Sequence, residues 1–150
     1  LLIKLLIDTV SKDGNLLLNV GPNGRGELEP RALDTLTEIG RWMRLHARSI
    51  HDAGASTFVP PPDCRYTQHG NRLYLHIFSW PFKHLHLPGL AGKVRYAQLL
   101  NDASEIRLVP HHENTDTHPE LGTSPDDLTL ELPVQRPDVA VPVIELFLNH

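Results

Sequence analysis

The sequence predicts an α/β region followed by an all-β region, and three observations carry that prediction. Only two of its 13 prolines precede residue 60. Residues 1–59 hold seven basic and seven acidic side chains, whereas residues 60–150 hold seven and eleven. Apolar residues recur at helical spacing in the first part and in short alternating runs in the second. We therefore predict one domain over residues 1–57 and another over residues 58–150, with Pro60-Pro61-Pro62 close after the boundary.

In the first region, the spacing predicts a helix, a turn and then a strand. Four apolar residues recur with helical period over residues 1–11: Leu2, Leu5, Leu6 and Val10. Residues 11–15 read as a turn in which Gly14 is free to take positive φ. Residues 16–20 are apolar without alternation, which is typical of a parallel strand buried on both faces. Such a strand needs partners for its ladder, so we expect those partners upstream.

A glycine-rich loop at residues 21–26 leads into a second predicted helix. Pro30 suits its first turn, and Glu27 and Glu29 lie near its positive end. Its apolar stripe runs to about residue 50: Leu33, Leu36, Ile39, Gly40, Met43, Ala47 and Ile50. The glycine spacing reverses the dinucleotide-binding pattern, and no Gly-Lys-Ser/Thr triplet is present. We therefore predict a tight loop after the strand and no phosphate site.

Beyond the prolines, short β-type runs separated by turn residues predict an antiparallel sandwich or barrel. The seven runs are Arg65–Gln68, Arg72–Phe78, His84–Leu87, Lys93–Leu100, Glu105–Val109, Leu128–Leu132 and Val143–Leu148. Residues 110–127 are expected to form a long exposed loop.

Composition excludes several classes of protein. A formal net charge of -4 argues against nucleic-acid binding. The apolar runs are too short to span a bilayer, and the single cysteine, Cys64, excludes an internal disulfide framework. The chain begins with Leu1, carries Met43 as its only methionine and has no targeting segment, so we expect a fragment or a processed product. Compartment and oligomeric state stay open.

No residue pattern predicts a metal or cofactor. Ten histidines include His84 and His86 on one strand face and the adjacent His111 and His112, but no HExxH spacing exists. Surface or interface histidines are the expected interpretation.

Other reactive groups also lack a catalytic setting. Asp126, Asp127, Glu27 and Glu29 lie on predicted loops with nothing to place them across a cleft. Cys64 reads as a small packing residue, and Ser11, Ser49 and Ser79 lack a nucleophile elbow. Four aromatic residues could stack on sugars, although core packing is favoured: Trp42, Tyr74, Trp80 and Phe82. Taken alone, the residues support no reaction.

A resemblance to a known protein family indicates more about function than these residues do alone. VSKDGNLLLNVGPNGRGELEP (residues 10–30) and LTEIGRWMRLH (residues 36–46) closely resemble the last strand and helix of the family 29 glycoside hydrolases, the α-L-fucosidases. GNRLYLHIFSWP (residues 70–81) and LPGLAGKV (residues 87–94) are similar to the carboxyl-terminal β-sandwich of that family. The segment 46–51 departs from the family's Asn-Gly-Glu-x-Ile-Tyr, reading His-Ala-Arg-Ser-Ile-His.

The resemblance implies the terminal strand and helices of a (β/α)8 barrel followed by an antiparallel β-sandwich. It also implies retaining hydrolysis of terminal α-L-fucosides by two carboxyl groups, with a fucosylated glycan or glycoside as partner. Those carboxyl groups are expected upstream of Leu1, so no catalytic residue is assigned here. Asn19, Gly21 and Pro22 are expected at the active-site rim. We expect these 150 residues alone to be inactive; the alternatives are a carbohydrate-binding module, a purely structural sandwich and a standalone α/β-sandwich protein.

Overall fold

A computed structural model describes residues 1–109 and 124–150. Helices α1 (Leu2–Val10) and α2 (Pro30–His46) form as the periodicity predicts, and α2 ends in a 3-10 turn at Ala47–Ser49. All seven predicted β runs form strands: β1 (Cys64–His69), β2 (Arg72–Ile77), β3 (His84–Leu87), β4 (Val94–Leu99), β5 (Arg107–Val109), β6 (Leu128–Glu131) and β7 (Val143–Leu148). They pair antiparallel in two sheets, ordered β1-β2-β7-β4 and β3-β6-β5. The antiparallel sheets predicted for the second region are confirmed.

The four-stranded sheet is the middle of three layers. One face packs against the three-stranded sheet, through residues such as Leu75 and Leu146. The other face packs against the helices, through residues such as Tyr74 and Val143. Strand β2 is therefore buried on both faces, because alternate side chains along a strand point to opposite sides.

Polar contacts fasten the helices to this sheet. The Trp42 indole N–H donates to the carbonyl of Val141 at 2.8 Å, and the Thr67 hydroxyl donates to the carbonyl of Ser49 at 2.6 Å. Near the other helix, the Arg65 guanidinium lies 2.9 Å from an Asp8 carboxylate oxygen. These two hydrogen bonds and the ion pair fix the position of the helices on the sheet, in addition to the burial of apolar side chains.

Helix α1 ends differently from the sequence prediction. Asp13, and not Gly14, takes the left-handed conformation, with φ of 61°. The amides of Asp13 and Gly14 donate back to the carbonyls of Val10 and Thr9, which is a Schellman-type ending. Glycine is needed at residue 14 for closeness, since a Cβ there would lie 2.9 Å from Thr9 Cγ2. Asp13 then accepts a hydrogen bond from the Ala55 amide at 2.7 Å.

The predicted strand at residues 16–20, for which we expected ladder partners upstream, does not form among the described residues. The segment has no strand pairing, and the side chains of Leu17 and Leu18 are 93% and 38% exposed. The reason is that a parallel strand requires neighbouring strands for its ladder. Within the described residues, every paired strand belongs to the two antiparallel sheets.

The predicted loop at residues 110–127 lies mostly outside the described residues. Residues 110–123 of the predicted loop, with His111 and His112, lie outside the described residues, while residues 124–126 are exposed.

No helix in the described ranges is long and apolar enough to cross a membrane.

Candidate functional site

The predicted rim residues lie around a cleft between the two helices. Asn19, Gly21 and Pro22 are all exposed. Asn19 and Gly21 line a cleft of about 350 Å³, whereas Pro22 does not. The remaining walls come from the start of α1, the extended segment and the first turns of α2: Leu2, Leu18, Val20, Glu29, Arg31, Ala32, Thr35 and Leu36.

The chemistry of this cleft is limited. Its lining holds one carboxylate, Glu29, and one guanidinium, Arg31, between apolar walls. Glycoside hydrolysis with retention needs two carboxyl groups about 5 Å apart. The lining of the cleft therefore does not contain the pair of carboxyl groups that such a reaction requires.

The glycine-rich loop beside the cleft uses its own polar groups internally. The Asn23 side-chain oxygen accepts from the amides of Arg25 and Glu27, at 2.9 and 3.0 Å. Gly26 takes a φ of 78°, which favours glycine. The amides of Arg25 and Glu27 are therefore already engaged within the loop.

The structure assembles no metal centre from the residues it describes. Over residues 1–109 and 124–150, no three His, Cys, Asp or Glu side chains are grouped as metal ligands. His84 and His86 are half-buried, and His86 Nδ1 lies 2.8 Å from the Thr129 hydroxyl. Burial, followed by the neighbouring His84, lowers the pKa of His86.

Two histidines are fully buried, contrary to the surface or interface role expected for them. His46 stacks on Trp42 with ring centroids 4.7 Å apart, and its Nδ1 lies 2.8 Å from the Trp42 carbonyl. His76 approaches the same indole, and its Nδ1 lies 3.3 Å from the Arg65 carbonyl. The Nε2 atoms of both rings have no hydrogen-bond partner.

Burial sets the ionisation of this pair. It lowers the pKa of His46, and it lowers the pKa of His76 to about 3, with the neighbouring His46 adding a smaller effect. Both rings are therefore neutral at pH 7. Sequence reasoning missed them, although the i, i+4 spacing of Trp42 and His46 places both on one helix face.

Glu145 is a buried carboxylate that sequence reasoning also missed. It lies on the central strand β7, opposite Tyr74 and Gln98. The Gln98 amide donates to it at 2.8 Å, and the Arg48 guanidinium lies 3.6 Å away. Burial and this carboxylate raise the pKa of Tyr74 to about 12. The only signal was an acidic residue inside the apolar run at residues 143–148.

The remaining candidates are structural. Cys64 is buried, and desolvation raises its pKa to about 12, so its thiol is not activated. Ser49 is buried and donates to the His46 carbonyl. The aromatic set does not assemble into one surface, since Trp42 and Tyr74 belong to the helix-side core. Trp80 is half-buried, and Phe82 is 79% exposed.

Comparisons with known proteins agree along the chain. A family model described as alpha-L-fucosidase matches residues 1–48. The α-L-fucosidase isoenzyme 1 of Paenibacillus thiaminolyticus superposes on 99% of the chain with a TM-score of 0.88 and 41% identity. Along almost its whole length the chain is therefore similar to α-L-fucosidases. A plasma α-L-fucosidase of Rattus norvegicus is 27% identical over 88% of the chain.

The family relationship covers only part of each relative. The chain spans 34% of the Paenibacillus structure and 28% of the rat fucosidase. An α-L-fucosidase from Bacteroides thetaiotaomicron shares the fold, with a TM-score of 0.83 over 99% of this chain and 31% of its own. The helices and antiparallel sheets correspond to the C-terminal domain of fucosidases. The resemblance identified from residues 10–30 and 36–46 is confirmed.

Proposed function

We propose that these residues form the carboxyl-terminal part of an α-L-fucosidase, a glycoside hydrolase that removes terminal α-L-fucosyl groups with retention. The observation that carries the proposal is the 41% identity to the Paenibacillus fucosidase over 99% of the chain. A Bacteroides relative has been trapped as a covalent intermediate with a fluorinated fucosyl fluoride, which supports a retaining route.

In this proposal, residues 1–57 are the last βα unit of a (β/α)8 barrel and residues 58–150 are the β-sandwich. The exposure of Leu17 and Leu18 supports it, because barrel strands on either side would bury both side chains. Asn19 then lies near the end of the eighth strand and Gly21 and Pro22 follow it. All three border the fucoside, since barrel active sites form at the carboxyl ends of the strands.

The two catalytic carboxyl groups are proposed to belong to earlier strands of the barrel. The buried Glu145 is a poor candidate, because it lies in the helix–sheet interface with Tyr74, Gln98 and Arg48 as partners. One role we assign to the sandwich is to support the helices, since its four-stranded sheet packs against them and fixes their positions.

The test compares two polypeptides on 4-nitrophenyl α-L-fucoside. The 150-residue chain is expected to release no nitrophenol, whereas the same chain joined to the preceding barrel of the Paenibacillus relative is expected to be active. NMR of the first-formed sugar should show the α-anomer. Turnover by the 150-residue chain would overturn the assignment of the catalytic groups, and formation of the β-anomer would overturn retention.

A further inference from the structure

A groove opens at one end of the sandwich. It is lined by the loops that join β4 to β5 and β6 to β7 and by the adjoining ends of those strands. The groove has a volume of about 630 Å³, which lies in the range of small-molecule sites. It shares no lining residue with the cleft at Asn19 and Gly21. Loops held by a rigid sandwich are frequent positions for binding sites.

The polar lining of the groove is dense and mixed in charge. Four carboxylates and two guanidinium groups line it: Asp102, Glu105, Glu131, Asp138, Arg107 and Arg136. Asn101, Ser104 and Gln135 add neutral donors and acceptors. The surplus of negative charge disfavours phosphates, sulfates and nucleic acids as ligands.

Both guanidinium groups are held in place. Arg107 lies 2.7 Å from a Glu131 carboxylate oxygen across the strand pair. Arg136 donates to the carbonyls of Pro137 and Ala140 at 3.1 and 2.8 Å. Fixed side chains lose less freedom when a ligand binds, so this part of the groove is preorganised.

Exposed apolar side chains lie at the same end of the sandwich as the polar lining. Pro133 lines the groove, and its carbonyl accepts a hydrogen bond from the Trp80 indole at 3.1 Å. The Leu132 amide donates to the Lys83 carbonyl, which brings Phe82 and Val134 to the same end of the sandwich. Phe82 and Val134 are 79% and 67% exposed. Exposed apolar side chains at the same end of a domain as a polar groove are frequent at binding surfaces.

We propose that this groove is a saccharide-binding site, in which Phe82 stacks on a sugar ring and the adjacent polar side chains bind its hydroxyl groups. A pyranose has an apolar C–H face and a rim of hydroxyls that both donate and accept. The groove supplies both acceptors and donors. The β2–β3 loop, whose Lys83 carbonyl accepts from the Leu132 amide, supplies the exposed aromatic ring of Phe82. This inference rests on the proposed function, because a fucosidase meets its substrate as part of a glycan.

The experiment is an NMR titration of the 150-residue chain with 2′-fucosyllactose, lactose and cellohexaose at millimolar concentrations. Saturable shifts are expected in the amides of residues 101–107 and 131–138 and in the Trp80 indole. Phe82→Ala should weaken binding about tenfold, which corresponds to about 1.4 kcal/mol. Gln135→Ala should also weaken it. The matched control is Val59→Ala, which truncates another apolar side chain that is 69% exposed and should leave binding unchanged.

Three outcomes would overturn the proposal. These are no saturable shift with any of the three sugars, full binding by Phe82→Ala, or shifts confined to residues outside the groove. A decaproline peptide is included because aromatic grooves also bind extended proline-rich segments. Binding of that peptide without binding of any sugar would assign the groove to a protein partner instead. Since no turnover is measured, failure here is distinguishable from failure of the hydrolysis test.

Discussion

Two leucine-rich runs of this chain differ in structure: one is exposed and unpaired, and the other is a buried strand. Leu16-Leu17-Leu18 lies extended and unpaired, with Leu17 93% exposed. In β6, Leu130 is completely buried, because that strand is flanked by β3 and β5 and packs on the opposing sheet. The comparison teaches that apolar residues do not create a strand by themselves. A strand forms where the rest of the chain supplies both ladder partners and a surface to cover.

The largest expected effect tests this comparison directly. Leu130→Ala should lower the free energy of unfolding by about 2–5 kcal/mol, because it leaves a cavity between the sheets. Leu17→Ala is the matched control and should change it by less than about 0.5 kcal/mol. Urea denaturation followed by circular dichroism measures both. Equal losses would contradict the exposure of Leu17. In a polypeptide that includes the proposed barrel, the cost of Leu17→Ala should rise toward that of Leu130→Ala.

The second prediction is that the buried histidines on the helix side of the central sheet make the free energy of unfolding depend on pH. On the helix side, burial lowers the pKa of His46 and His76 below the ordinary value of 6.5. The unfolded chain therefore binds more protons than the folded chain at mildly acidic pH. Stability is fully present above pH 6.5 and, for His76, is lost as pH falls from there toward 3, by up to about 1.4 kcal/mol per pH unit. His46 contributes in the same direction.

The measurement is urea denaturation at a series of pH values from neutral to mildly acidic. His76→Gln should reduce the slope, whereas His51→Gln, at an exposed position just beyond the 3-10 turn, should retain it. Half-buried His86 contributes a smaller slope in the same direction, since its pKa is also lowered. An unchanged slope in His76→Gln would show that this ring does not couple stability to pH.

The smallest effect concerns the link between the first helix and the segment that precedes the sandwich. Asp13→Ala removes the acceptor for the Ala55 amide and places alanine at positive φ, so a loss of about 1 kcal/mol is expected. Asp13→Asn keeps an oxygen acceptor and tolerates that conformation, so it should stay close to wild type. Thermal unfolding compares the two. An alanine variant as stable as the asparagine variant would show that the link contributes nothing measurable.

Much of the fold could be predicted from local patterns. All seven β runs and both helices follow from periodicity and turn residues, since short strands between Pro, Gly and Asn carry clear signals. The polar groups of the helix–sheet interface could not be predicted in the same way. His76 and Tyr74 alternate with Leu73 and Leu75, which predicts one polar, half-exposed face. Only the helices packed on that face bury them, and no strand pattern contains that information.

The candidate site could be predicted less well from the sequence than the fold could. Asn19, Gly21 and Pro22 have no catalytic chemistry of their own, and their assignment to a rim depends on family resemblance. The saccharide groove was invisible for a different reason. Its lining comes from two loops and the adjoining strand ends, which are far apart in sequence, and loop geometry is not encoded by periodicity. Phe82 was noted only as one of four aromatic residues, two of which are in the core.

The burial of β2 on both faces also affects which pairing register this strand adopts during folding. A slip of one residue would turn Leu73, Leu75 and Ile77 toward the helices. It would place His76 between the two sheets, where the surrounding core is apolar. An unpaired imidazole in that position is costly, so the slipped pairing is penalised on both faces at once. Polar residues on the helix side thus discriminate against misregistered sheets, a role that complements their hydrogen bonds in the native state.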